Sequence, residues 1–138
     1  MNLSCADLRN LDLRGACLAN AELSNADFSG ADLSNAILWK ATLIGTRFCN
    51  VNLRHTNFRH AKLKKAVLKN SNLIGINFLG SDLIQADFRN SNLEGAELRD
   101  ANLTHTYFDA RLKAPEKGSF VGWKRIYDIQ GTRLLLSY

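Results

Sequence analysis

No stretch of the 138-residue sequence approaches the roughly 18 consecutive apolar residues that a membrane span requires. The N-terminus, Met1-Asn2-Leu3-Ser4-Cys5-Ala6-Asp7-Leu8, lacks the basic and apolar segments of a secretory leader. A soluble, non-exported, cytoplasmic chain with no membrane partner is therefore expected. Cysteine is scarce as well: Cys5, Cys17 and Cys49 form an odd set with no Cys-x-x-Cys pair, so neither a disulfide framework nor a zinc site is indicated, and the set fits a reducing cytosol. Proline occurs once, at Pro115, so nothing of that kind interrupts the first four-fifths of the chain. The charge excess is small and local. Residues 1–110 hold 12 Lys/Arg against 11 Asp/Glu, whereas residues 111–138 hold 6 against 2, so most of the net charge of +5 lies in the tail. At 46% hydrophobic content the chain is a folded single domain and not a disordered segment.

What the sequence does have is a period. From Leu3 to Phe108 a Leu or Phe recurs every five residues without a miss, giving 22 centres. Two residues before the centre the side chain is usually small, as at Ala6, Ala26, Ala31, Thr46, Thr56 and Ser71; Leu11, Val51 and Ile76 are larger exceptions. A period of five fits neither an amphipathic helix nor a long strand. Within one unit, however, the small residue and the centre are two apart and point the same way in an extended segment, so each unit reads as a very short strand with an outward residue between two inward ones. The other two residues must turn the chain. Gly or Asn stands two after the centre in 13 of the 22 units, as at Asn10, Gly15 and Asn20, and these residues tolerate positive φ. Strand and turn in alternation wind into a solenoid.

Units such as Ala6-Asp7-Leu8-Arg9-Asn10, Ala26-Asp27-Phe28-Ser29-Gly30 and Ala31-Asp32-Leu33-Ser34-Asn35 resemble the A-(D/N)-L-x-x units of the pentapeptide-repeat family over about four-fifths of the chain. The resemblance implies an all-β fold: a right-handed quadrilateral parallel β-helix with four units, or twenty residues, per coil. Residues 1–110 would then make about 5.5 coils. The phenylalanine centres Phe28, Phe48, Phe58, Phe78, Phe88 and Phe108 are spaced by ten or multiples of ten, which places rings on two opposite walls and Leu on the other two. Twenty per coil satisfies that spacing, and so does ten.

No catalytic, cofactor-binding or metal-binding residue is expected. His55, His60 and His105 occupy turn positions without a nucleophile beside them, and the carboxylate pairs Asp7/Asp12 and Asp27/Asp32 stand where the repeat carries its ordinary polar residue. Two surface features stand out instead. Residues 47–69 contain Arg47, Arg54, Arg59, Lys62, Lys64, Lys65 and Lys69 and no acid, a basic belt between stretches richer in acids. It reads either as a patch for phosphate, nucleic acid or an acidic partner, or as a solvated rim. Ile37, Trp39, Ile44, Ile74, Leu79 and Ile84 are apolar at positions that should face outward, and twenty-residue coils would stack Trp39, Arg59 and Leu79, and likewise Ile44, Lys64 and Ile84. They read as a contact surface for the chain's own tail or for a partner, or as chance surface apolars.

The period stops at Lys113-Ala114-Pro115. Beyond it, 120–129 and 132–138 around Gln130-Gly131 read as a β-hairpin, and residues 111–138 as a cap or oligomerisation tail contacting through Phe120, Trp123, Tyr127, Leu134, Leu135 and Leu136. The functional expectation is a non-enzymatic scaffold with an unidentified protein partner and a homodimer contact at the C-terminal end. Because Met1 begins inside the repeat register, a module of a larger assembly is a further reading. The family resemblance implies an alternative, an acidic DNA mimic that occupies a type II topoisomerase, which the near-neutral rod and its basic waist oppose. Direct nucleic-acid binding through the belt is the remaining alternative, weak and salt-sensitive at most.

Overall fold

A computed structural model describes residues 1–109 in full, together with the backbone of Ile126–Asp128 and Arg133–Leu134. Its organising feature is one ladder. The second residue of each unit forms a parallel bridge with the residue twenty positions on, from Asn2↔Glu22 through Glu22↔Thr42 and Thr42↔Lys62 to Asp87↔Tyr107. A step of twenty is four units, so the coil has four sides and the ten-residue alternative is excluded. Three kinds of bond tie each coil to its neighbours: the centre's N–H donates to the next coil, as Leu23 N to Thr42 O at 2.8 Å, the corner residue's N–H does the same, as Asn25 N to Ile44 O at 2.9 Å, and the second residue's N–H donates back, as Thr42 N to Ala21 O at 2.9 Å. The parallel backbone groups are thereby satisfied between coils, as burial demands.

The corners follow from local chemistry. A centre's carbonyl commonly accepts the N–H three residues on, as Ala26 N to Leu23 O at 3.0 Å, and the residue two after the centre is left-handed at all 21 corners from Cys5 to His105. Asn and Gly take that conformation readily. Cys5, Lys40, Lys65 and Gln85 take it against their preference, held there by the ladder, while Asp100, His55, His60 and His105 are of types that tolerate it better. The repeat's Asp or Asn shapes the corner too, because its Oδ1 accepts the N–H two residues on, as Ser34 N to Asp32 at 2.9 Å and Arg59 N to Asn57 at 3.0 Å. Such Asx turns offer the corner an acceptor that a helix or flat sheet would not need.

Two inward columns build the core. Small residues and Leu/Phe centres are buried from Leu18 to Phe108, apart from Ser91 and Ala101, which are partly buried. Leu3, Leu8 and Leu13 are only partly buried and Leu11 is 43% exposed, because the first coil is covered on one side only. The rings make a continuous aromatic column. Phe28 stacks on Phe48 (centroids 5.1 Å apart), Phe48 meets Phe58 edge-on across the lumen at 5.8 Å, Phe58 stacks on Phe78, Phe78 meets Phe88 edge-on, and Phe88 stacks on Phe108. Rings from opposite walls thus touch each other directly instead of being separated by leucine, in the offset and edge geometries their quadrupoles favour.

Where the small residue is Thr or Ser, its hydroxyl often donates 23 residues back to a centre's carbonyl in the previous coil. Thr46 reaches Leu23 O at 2.9 Å, Thr56 reaches Leu33 O at 2.9 Å and Thr106 reaches Leu83 O at 2.8 Å. Burial of these hydroxyls is therefore compensated. Thr56→Val keeps the volume and removes the donor, and is expected to cost about 1 kcal/mol in chemical denaturation. Thr56→Ser, which retains the donor, should recover part of the bond's contribution; equal stability of Val and wild type would show the hydroxyl to be idle.

The ladder continues at its C-terminal end in three named strands: β1 (Tyr107–Phe108), β2 (Ile126–Asp128) and β3 (Arg133–Leu134), in the order β1-β2-β3. β2 pairs parallel with β1, Tyr107↔Tyr127 and Phe108↔Asp128, which is again a step of twenty. β3 returns antiparallel, Ile126↔Leu134 and Tyr127↔Arg133. Phe120, Trp123, Leu135 and Leu136 lie outside the described residues, as do the side chains of Tyr127 and Leu134.

Candidate interaction face

Four columns of units give four faces. The first carries centres Leu3, Leu23, Leu43, Leu63, Leu83 and Leu103; the second begins at Leu8, the third at Leu13 and the fourth at Leu18. The basic belt spans just over one coil and so encircles the rod. Lys62, Lys64 and Lys65 lie on the first face, Arg47 and Lys69 on the second, Arg54 on the third, and Arg59 on the fourth near the corner that leads into the first. All are exposed except the half-buried Lys69. Arg47 reaches Asp27 at 3.8 Å, and the other six make no ion pair among the described residues.

The outward apolar residues divide. Backbone bonds Lys40 N to Arg59 O and His60 N to Leu79 O stack Trp39, Arg59 and Leu79; Gly45 N to Lys64 O and Lys65 N to Ile84 O stack Ile44, Lys64 and Ile84. These two columns flank the first face, with Thr42, Lys62 and Asp82 bridged between them. The result is a three-by-three field: Trp39, Thr42 and Ile44; Arg59, Lys62 and Lys64; Leu79, Asp82 and Ile84. Trp39 and Ile44 are 37% and 40% exposed, and Leu79 and Ile84 are half-buried. Lys40 Nζ stands 4.5 Å from the Trp39 ring centroid, covering one face of the indole. Ile37 lies mid-way along the fourth face and Ile74 on the third, opposite this field.

The acids are mostly engaged locally, which the sequence pattern alone did not reveal. Arg9 grips Asp7, Arg14 grips Asp12 and Arg89 grips Asp87 through paired nitrogens and oxygens, each two residues apart. The signal was available as Asp-Leu-Arg and Asp-Phe-Arg, in which the Asx turn that holds the Arg N–H on the Asp Oδ1 also brings the guanidinium beside the carboxylate. The Arg14 side-chain hydrogen bond holds the Asp12 carboxyl down from the ordinary 3.8 to about 2. A carboxyl depressed in the folded state adds stability above its unfolded value that is lost as pH falls toward its folded value. NMR titration of Asp12 should therefore place its midpoint near 2, and Arg14→Gln should return it toward the usual range; an unchanged midpoint would mean the pair does not form.

Two of the corner histidines pack on glycines. The His55 and His60 imidazoles lie over Gly75 and Gly80 in the next coil, where any Cβ would collide with Nδ1 and Cε1 of the ring. Among the described residues no group of three or more His, Cys, Asp or Glu is placed to hold a metal ion, and no helix is long and apolar enough to cross a membrane.

Comparison with known sequences agrees with this geometry. A profile for the pentapeptide repeat region matches residues 41–112, and one for pentapeptide repeats in eight copies matches residues 2–39. The chain belongs to the pentapeptide repeat family. Pentapeptide repeat proteins fold as right-handed quadrilateral β-helices and are generally non-enzymatic structural or interaction proteins. The crystal structure of a pentapeptide repeat protein from the Arabidopsis thaliana thylakoid lumen is 27% identical, with 70% of each chain covered and a TM-score of 0.58. A pentapeptide repeat protein from Nostoc, alr5209, is 27% identical over 80% of this chain and 75% of its own, with a TM-score of 0.49. QnrB1, a plasmid-mediated fluoroquinolone resistance protein, is 16% identical over 79% and 86%, with a TM-score of 0.39. No curated protein matches the chain significantly.

Proposed function

We propose that this pentapeptide repeat protein is a non-enzymatic interaction scaffold, a rod of about 5.5 coils that presents a lateral face to a macromolecular partner. The observation that carries the reading is the field on the first face. It combines exposed cations that lack ion pairs among the described residues with outward Trp, Ile and Leu, on a backbone whose hydrogen bonds are already made between coils. Such a surface binds without reorganising, which spares the ordering cost of association. In this reading residues 111–138 close the C-terminal end and provide a contact with a second copy, supported by the continuation of the ladder into β2. Cys5, Cys17 and Cys49 are free thiols, which supports a reducing cytoplasmic setting.

The DNA-mimic alternative is disfavoured by a specific arrangement. Asp7, Asp12 and Asp87 are each paired with an Arg two residues on, and the middle of the rod from 47 to 69 carries cations and no acid, so the rod does not present along its length the continuous negative face that a basic groove selects. Direct nucleic-acid binding is disfavoured because the belt is spread over four faces, and a duplex meets only some of them at once. The test is partner capture from a native extract with the full-length protein and with Trp39→Ser/Lys62→Asn/Ile84→Ser, which alters only outward positions. Loss of the captured partner at an unchanged melting temperature is expected. Capture that survives this variant and equivalent variants of the other three faces would remove the lateral surface as the binding site.

A further inference from the structure

The field on the first face has a chemistry that narrows the partner. Three rows cross the rod at the coil spacing of about 4.8 Å. The middle row, Arg59, Lys62 and Lys64 with Lys65 at the next corner, is cationic and exposed, and has no ion pair among the described residues. The row before it carries Trp39 and Ile44, and the row after it Leu79 and Ile84, at the same two columns. A cationic row is thus bordered on both sides by apolar side chains. Resting on the scaffold reading above, we propose that this face binds an acidic peptide segment in which Asp or Glu alternates with large apolar residues, laid across the rod along the middle row.

The alternation argues for peptide over nucleic acid. Single strands are held by cations interleaved with aromatic platforms, one per base. Here the field offers one aromatic ring, Trp39, and Lys40 already covers a side of it. Ile44, Leu79 and Ile84 give a base nothing to stack on. An extended acidic peptide uses every part. Its carboxylates reach the cations, and its apolar side chains settle beside Trp39, Ile44, Leu79 and Ile84. Oδ1 of Asp82 holds the Ile84 N–H, and the other carboxylate oxygen can accept a peptide N–H. The chain's own tail does not fit, because residues 111–138 carry 6 Lys/Arg against 2 Asp/Glu and share the sign of the row.

The decisive experiment is fluorescence anisotropy of the full-length protein with three labelled probes of equal charge: a peptide alternating Glu with Leu and Phe, a polyglutamate peptide, and an oligothymidylate strand. The mixed peptide should bind tightest, with affinity falling as salt is raised. Arg59→Ser/Lys62→Asn/Lys64→Ser/Lys65→Asn should weaken it by roughly tenfold or more, a loss scaled to several charge contacts. Asn at 62 introduces the Asx acceptor that neighbouring units such as Asn57 carry, and Asn at 65 suits the left-handed corner, so the fold is retained and a thermal melt checks it. Trp39→Ser/Ile84→Ser should weaken the mixed peptide and leave polyglutamate unchanged. The proposal is overturned if oligothymidylate binds tighter than the mixed peptide, if polyglutamate binds equally well, or if no probe binds. It is also overturned if light scattering shows a dimer that the quadruple variant dissociates, since the face would then be a self-contact. Partner capture that depends on this face while the peptides fail would leave the scaffold reading standing and reject only the peptide.

Discussion

Phe48→Ala is expected to destabilise the protein by about 3–5 kcal/mol, with a fall in Tm on the order of 10 °C or more. Phe48 is fully buried and stands at a junction of the aromatic column, stacked on Phe28 at 5.1 Å and edge-on to Phe58 at 5.8 Å. Truncation opens a void in a lumen whose walls are tied together by the backbone ladder and cannot collapse toward one another. Two ring contacts vanish in addition to the buried area. The outward Trp39→Ser, by contrast, should shift stability by only about 0.5 kcal/mol, because it removes no packed core. Comparable losses for the two substitutions would show that the five-residue centres are not the interior.

Removing residues 116–138 is expected to give aggregation or a changed mass in light scattering, together with a lower melting temperature. The two ends of the rod differ in a way that motivates this. At the N-terminal end Leu3, Leu8 and Leu13 are only partly buried, whereas Phe108, the last centre, is fully buried. The backbone of β1 finds its parallel partner in β2, beyond the repeats. Truncation leaves Tyr107–Phe108 with an unpaired edge at the end of the solenoid, which drives strand-edge association. A truncated rod with the same mass and melting temperature would show that the tail neither covers that end nor holds a second copy.

Much of this architecture was legible because a five-residue period is itself a geometric instruction. Placing Leu or Phe at every centre and a small residue two before it determines which side chains face inward, and Asn10, Gly15 or Gly75 mark the corners. Two stackings also followed from periodicity: once a coil is twenty residues, Trp39, Arg59 and Leu79 must align. The spacing of phenylalanines left ten and twenty open, and only the ladder separates them. Other features depend on atoms that the pattern does not specify. That Phe48 and Phe58 touch across the lumen depends on its width; that Thr46, Thr56 and Thr106 donate 23 residues back depends on the height of one coil relative to the next. The basic belt looked like a single patch along the sequence, yet a stretch of just over twenty residues goes once around the rod. Its members therefore scatter over four faces, with Lys62, Lys64 and Lys65 the largest group on one. The apolar residues scatter for the same reason, Ile74 facing away from Ile44 and Ile84. The acidic stretches keep their excess of acids, but a count taken over a window does not show which acids are held by a cation, as Asp7 is by Arg9 and Asp12 by Arg14.

Hydroxyl-radical footprinting of the full-length protein, alone and in complex with a captured partner, tests most directly whether the lateral face carries the function. Protection concentrated on Trp39, Ile44, Leu79 and Ile84, with the first coil unchanged, is the expected result. Protection confined to the two ends of the rod, with these four side chains as reactive in the complex as in the free protein, would contradict it.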